Sequence, residues 1–120
     1  MIVAGFGFRS ETSLAALQDA LARAGGAEGV THLATLNRKA PALADLSVVL
    51  GLPVIALAAE ALIGQPTLSR SDRVEALQRT GSVAEAAALA AAGPGARLRG
   101  RRAVSADRTA TAAIAEGGLG

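Results

Sequence analysis

The chain has 120 residues, 51% of them hydrophobic and 18% charged, which suits one ordinary domain and argues against disorder. Its formal net charge is only +2, and the absence of cysteine excludes disulfides and thiolate metal sites. Neither a signal-peptide pattern nor an apolar run of membrane-spanning length is present, so we expect a cytoplasmic protein without a membrane partner.

The first half of the chain alternates strand and helix patterns. The patterns predict a buried strand at 2–6, an amphipathic helix at 12–24, a strand at 31–36, a helix from Pro41 to Leu50 and a strand at 54–58. Proline suits the first helical position, so the second helix is expected to begin at Pro41. In that helix Leu43, Leu46, Val49 and Leu50 are expected to face inward.

The second half contains shorter elements. It predicts one helical turn at 60–63, a short helix at 72–79, a helix through 92 after the capping-box spacing of Ser82 and Glu85, and strands at 97–104 and 109–115 around a turn. The fold class is therefore α/β, a single compact domain with a mixed, mostly parallel sheet flanked by helices and a C-terminal antiparallel hairpin. We expect the domain to span 1–116 and residues 117–120 to be frayed.

Basic residues precede several predicted helices. Arg9 comes before the first helix, Arg38 and Lys39 before the second, and Arg70 and Arg73 flank the start of the helix at 72–79. The N-terminus of a helix carries a partial positive charge, so stability alone would favour acidic residues there. Cations at these ends are tolerable when the site holds an anion, which predicts a polyanionic partner.

The turn from Gly5 to Ser10 lies between the first strand and the first helix. In open α/β sheets ligands bind at this edge, and Gly5 and Gly7 would let the backbone approach one closely. A dinucleotide fingerprint needs a third glycine where Ser10 stands, so binding of NAD is disfavoured. A tight turn with an exposed Arg9 explains the residues equally well.

Hydroxyl groups accompany the cations in the second half. Thr67, Ser69 and Ser71 next to arginines suit carboxylate or phosphate oxygens, although turns and caps explain serine and threonine as easily. Ser82 and Glu85 are interpreted first as a capping box and second as a polar site.

A dense basic run lies near the C-terminus. Strand alternation would place Arg97, Arg99 and Arg101 on one face, and a charge-guarded edge strand explains them better than nucleic-acid binding, because no aromatic residue is near for stacking. His32 is the single histidine and cysteine is absent, so a transition-metal site lacks partners, and no nucleophile-elbow spacing supports a Ser-His-Asp triad.

Several of these segments together resemble a known family. The matching segments are Gly5-x-Gly7-x-Arg9, Leu36-Asn37-Arg38-Lys39, Leu52-Pro53-Val54, the run from Pro66 to Ser71 and the run from Gly81 to Leu89. They resemble the CobE family of cobalamin biosynthesis, which is similar to the C-terminal domain of CbiG. The resemblance covers almost the whole chain, and the stretch from Ser82 to Leu89 is its most distinctive part.

The resemblance implies a small α/β protein of the corrin pathway. Full-length CbiG opens a ring lactone and releases acetaldehyde, whereas the stand-alone CobE form belongs to the oxygen-dependent route. The implied partner is an acidic tetrapyrrole (precorrin or corrin) intermediate, with another pathway enzyme as a second candidate partner. We expect no cofactor, metal or nucleic acid. The substrate-binding residues that we carry over are Gly5, Gly7, Arg9, Lys39, Ser69, Ser71, Ser82 and Glu85. A hydrolase using Glu85 or Lys39 as acid–base group, or a non-catalytic subunit, is the alternative.

Overall fold

The computed structural model describes residues 1–68 and 82–117. Its elements in chain order are β1 (Ile2–Phe8), α1 (Leu14–Ala24), β2 (His32–Leu36), a 3-10 helix (Asn37–Leu43), α2 (Ala44–Leu50), β3 (Val54–Leu57), α3 (Ala59–Leu62), α4 (Val83–Ala92), β4 (Arg97–Leu98), β5 (Ala103–Val104) and β6 (Ala110–Glu116). The helix predicted at 72–79 lies outside the described residues, and so do positions 118–120 of the expected frayed end. Gly117 is described, and its N–H donates to the carbonyl oxygen of Met1 at 2.7 Å.

The strands form one mixed sheet in the order β3-β2-β1-β6-β4, with β5 also paired to β6. β1 is parallel to β2 and β2 to β3, while β6 runs antiparallel to β1, β4 and β5. Five strands therefore point in one direction and β6 in the other. The predicted α/β class, with a mixed sheet, flanking helices and C-terminal antiparallel strands, is confirmed.

The strand predicted at 97–104 is divided into β4 and β5. Arg99 still donates its amide to the carbonyl oxygen of Ile114 at 2.8 Å, but the following residues leave the ladder with β6. The Arg102 amide donates to the buried Glu85 carboxylate of α4, at 2.6 Å, and so takes no part in the ladder with β6. Alternation along a continuous strand was therefore the wrong description of the basic run.

The helix predicted from Pro41 also begins differently. Pro41 lies inside the 3-10 helix, and the α-helix starts only at Ala44. A 3-10 turn already begins at Asn37, so Pro41 falls inside the helical segment, where its missing N–H does remove a ladder bond, and not at the first position. The resulting α2 has two turns and a narrow apolar face. Leu46 is buried, but Val49 is 54% exposed, so the prediction that Val49 faces inward is wrong.

The two faces of the sheet are covered differently. On one face α1 and α2 pack over large side chains, including Phe6, Leu33 and Ile114. On the other face α4 contributes mainly buried alanines and therefore lies very close to β1. A Cβ atom added at Gly5 would overlap the carbonyl oxygen of Ala84 in α4. Within 1–68 and 82–117, no helix is long and apolar enough to cross a membrane.

Candidate functional site

A cleft of about 730 Å³ opens at the edge of the sheet where β1 and β2 end. Because β1 and β2 are parallel, their carboxyl ends meet at this edge, and β6 contributes its first residues there because it runs the opposite way. The cleft is lined by Gly7, Phe8, Arg9, Ser10, Glu11, Thr35, Leu36, Arg38, Lys39, Val83, Arg102, Val104, Arg108, Thr109, Ala110 and Thr111. We call it the basic cleft.

Five cationic side chains line the basic cleft, against one carboxylate, counted among the described residues. The cations are Arg9, Arg38, Lys39, Arg102 and Arg108, and the carboxylate is Glu11. Glu11 is 4.0 Å from the Arg9 guanidinium, and both side chains are mostly exposed, so this pair is weak. No other ion pair within the described part of the chain involves these cations.

Lys39 and Phe8 form the aromatic side of the cleft. The Lys39 Nζ atom lies 5.4 Å from the centroid of the Phe8 ring, which is cation–π distance. Both residues, with Ser10 and Arg38, also border an adjoining pocket of about 460 Å³ that continues towards Ser13. Lys39 and Phe8 therefore line both spaces.

Two threonines fix the backbone at the floor of the cleft. The buried Thr35 hydroxyl donates to the carbonyl oxygen of Phe6 at 2.9 Å, across the β1–β2 boundary. The Thr111 hydroxyl donates to the carbonyl oxygen of Gly7 at 3.0 Å, across the β1–β6 boundary. Arg9 then leaves β1 with its amide donating to the carbonyl oxygen of Thr109 at 2.9 Å. These bonds hold the start of the first turn against the hairpin.

Arg108 projects from the β5–β6 turn in an unusual backbone conformation. Its φ is 63°, a left-handed value that normally favours glycine. The Asp107 carboxylate holds the turn by accepting from the Ser105 hydroxyl at 2.7 Å, the Thr109 hydroxyl at 2.8 Å and the Thr109 amide at 3.0 Å. These hydrogen bonds, led by the Ser105 hydroxyl, lower the pKa of Asp107.

A second carboxylate ties the same turn to α1. Asp19 accepts a hydrogen bond from the Ala106 amide at 2.8 Å and also pairs with Arg23. The Ala106 amide and then the Arg23 guanidinium lower the pKa of Asp19. Two charged carboxylates thus keep the turn in place.

Ser82 and Glu85 lie behind the cleft, fully buried. The Ser82 hydroxyl accepts from the Glu85 amide at 3.2 Å and caps α4. The Glu85 carboxylate accepts from the amides of Leu68 at 2.7 Å and Arg102 at 2.6 Å. The carboxylate therefore joins two loops that are distant in sequence.

The structure brings some of the predicted site residues together and separates others. Gly7, Arg9 and Lys39 line the basic cleft. Gly5 is buried under α4, where its missing side chain allows close packing. Ser69 and Ser71 lie outside the described residues, as do Arg70 and Arg73.

Sequence reasoning missed Arg102 and Arg108 as cleft residues. Arg102 falls within the strand predicted at 97–104, and Arg108 falls within the turn that precedes the strand predicted at 109–115. The available signal was that the closing hairpin returns to the edge where β1 ends, which becomes visible only once β6 is paired with β1. Within 1–68 and 82–117, no three histidine, cysteine, aspartate or glutamate side chains are grouped so that they could hold a metal ion.

A family model and solved structures of known proteins point to the same family. Residues 2–115 match the family described as Cobalamin synthesis G C-terminus. No match was found among curated proteins. The chain is similar to the crystal structure of CobE, a protein from the cobalamin (vitamin B12) biosynthetic pathway, with 33% identity, a TM-score of 0.77 and coverage of 96% of this chain and 89% of that one.

Two further crystal structures share the fold. The cobalamin biosynthesis protein chiG from Agrobacterium tumefaciens is 36% identical, with a TM-score of 0.69 and coverage of 98% of each chain. A cobalamin biosynthesis protein G homolog from Sulfolobus solfataricus is 18% identical, with a TM-score of 0.73 over 95% of this chain and 36% of that one. At that identity the last likeness supports the fold alone.

Proposed function

Because the chain belongs to the Cobalamin synthesis G C-terminus family, we propose that its basic cleft binds an acidic tetrapyrrole intermediate of cobalamin biosynthesis. Corrin precursors carry several acetate and propionate groups around the ring. A protein that holds such a ring needs several separated cations and an apolar surface. The proposed compartment is the cytoplasm, which the absence of cysteine fits.

The observation that carries the proposal is the charge of the cleft. Five cations face one carboxylate, although the whole chain has a formal net charge of only +2. Positive charge is therefore concentrated at one edge of the sheet. Guanidinium groups bind carboxylates through paired hydrogen bonds, so the arginines suit the periphery of the ring.

The shape of the cleft suits a ligand larger than a single anion. About 730 Å³ falls within the common range of roughly 300–1,000 Å³ for small-molecule sites. Phe8, Val83 and Val104 supply apolar surface between the cations. The adjoining pocket beyond Lys39 offers further space for a side chain of the ring.

A binding role explains the described residues better than hydrolysis does. The Glu85 carboxylate, one candidate acid–base group, is fully buried and already accepts two backbone amides. Lys39 remains as the candidate that lines the cleft. No described contact favours turnover, so the hydrolase stays an alternative that the experiment below separates.

The test is a titration of the purified protein with a corrin carrying free acetate and propionate groups, and with uroporphyrin as a stable acidic tetrapyrrole. We expect saturable absorbance changes, with Arg9→Ala and Lys39→Ala each weakening binding about tenfold, because each loses a charge-assisted contact. Arg97→Ala is the matched control, since Arg97 is exposed and does not line the cleft. Equal affinity in all four proteins would refute the site. Acetaldehyde release from a lactone-bearing precorrin would favour the hydrolase.

A further inference from the structure

Burial of the Glu85 carboxylate opposes folding, and hydrogen bonds to the carboxylate compensate for it. Its side chain is fully buried in the first turn of α4. A buried carboxylate is strongly destabilising unless hydrogen bonds replace its lost water. Here those bonds include the backbone amides of Leu68 and Arg102, at 2.7 and 2.6 Å. The position near the N-terminus of α4 adds a favourable helix dipole.

The two amides belong to different loops. Leu68 follows α3 and Arg102 lies between β4 and β5, each 17 residues from Glu85 in sequence. Arg102 is outside the regular ladder of β6, so its backbone position depends on contacts of this kind. One carboxylate with an oxygen for each amide therefore fixes both loops to α4.

Arg102 is among the residues that line the basic cleft, and its backbone is the part that Glu85 holds. We infer that Glu85 is a positioning residue, which sets the place of the Arg102 guanidinium in the cleft by holding the Arg102 amide. The inference rests on the proposed function, because it assigns Arg102 a contact with the carboxylates of the ligand. Glu85 itself does not line the cleft.

Glutamine at position 85 is the informative substitution. It has nearly the same shape but only one oxygen acceptor, and its NH2 group would face one of the two amides as donor against donor. Glu85→Gln should therefore release one of the loops without creating a cavity. If the loop that contains Arg102 is the one released, the cleft loses one ordered cation.

Hydrogen exchange measured by NMR tests the hydrogen bond without a ligand or a variant. In the wild-type protein, the Arg102 amide should exchange at least about a hundredfold more slowly than the amide of Arg101, relative to their intrinsic rates. Among the described residues, Arg101 has no backbone hydrogen bond through its amide, so it is an internal control. Equal protection of the two amides would overturn the inference, whatever the ligand does.

A double-mutant cycle with uroporphyrin tests the functional part. Arg102→Ala and Glu85→Gln should each weaken binding about five- to tenfold, and Glu85→Gln should have less than a twofold effect when Arg102 is already alanine. Independent, multiplying effects would overturn the positioning role, and so would an unchanged affinity of a Glu85→Gln variant in which the Arg102 amide has lost its slow exchange. If Arg9→Ala, Lys39→Ala and Arg102→Ala all bind like the wild type, the proposed function fails as well. If Glu85→Gln does not fold, the exchange rates of the wild type decide.

Discussion

Replacing Arg108 by glycine is expected to stabilise the protein and to weaken anion binding. Arg108 has a φ of 63°, the one positive value at a non-glycine residue in the described ranges. The left-handed conformation costs a residue with a side chain about 1–2 kcal/mol. Glycine avoids that cost but loses about 0.5–1 kcal/mol more conformational entropy on folding. The net gain in the free energy of unfolding is about 0.5–1 kcal/mol, or roughly 2–4 °C in Tm for a domain of this size.

The same substitution removes one of the five cleft cations. We expect the affinity for uroporphyrin to fall about tenfold, because a charge-assisted contact is lost. Stability and binding should therefore change in opposite directions, which general damage to the fold would not produce. Thermal unfolding followed by circular dichroism gives the Tm, and a fluorescence titration gives the affinity.

Arg101→Gly is the matched control for this experiment. Arg101 is exposed, lies close to the same hairpin and has no positive φ, and it does not line the cleft. Its replacement removes the same charge but should lower stability slightly and leave the affinity within about twofold. A lower Tm for Arg108→Gly than for the wild type would show that the conformation stores no strain. An unchanged affinity would show that Arg108 does not meet the ligand.

Three further predictions concern packing and pH. Gly5→Ala should lower the free energy of unfolding by about 3 kcal/mol and Tm by roughly 10 °C. The reason is that the added Cβ overlaps the carbonyl oxygen of Ala84, so α4 must move outward. A Tm within about 2 °C of the wild type would refute this packing. Gly7→Ala, whose Cβ would meet its nearest atoms at 3.1 and 3.2 Å, should cost less than about 1 kcal/mol in the same melting experiment. Accepted hydrogen bonds lower the pKa of Asp107, so its stabilisation of the hairpin is present above about pH 4 and is lost as pH falls through the lowered value. NMR protection of the Thr109 amide should stay constant above about pH 5 and decrease only below about pH 4, and a decrease near neutral pH would contradict this assignment.

Periodicity predicted most of the architecture. The apolar run that begins at Ile2 and the leucine repeat of α1 are local patterns, and local patterns determine strands and helices. The meeting of Arg9 and Lys39 also followed from the sequence, because both come after strands that were expected to be parallel. A parallel pair brings its carboxyl ends to one edge, so the order of elements was sufficient.

The remaining part of the site depends on contacts between distant segments. The capping spacing predicted the role of Ser82, but nothing in the sequence indicates which amides the Glu85 carboxylate accepts. Arg102 and Arg108 enter the cleft only because β6 returns antiparallel to β1. The glycine at position 5 suggested a ligand contact, whereas its close neighbour in the fold is α4. Pairing and packing of this kind leave no periodic signal.

The most direct test of the central claim is to locate a bound acidic tetrapyrrole on the protein. In an NMR titration with uroporphyrin, the amide signals of Arg9, Lys39, Arg102 and Arg108 should shift together and saturate at one affinity. Signals of Val48 in α2, an exposed residue that does not line the cleft, should remain unchanged. Shifts that concentrate on α2, while the amide signals of the four cleft residues do not change, would contradict the account.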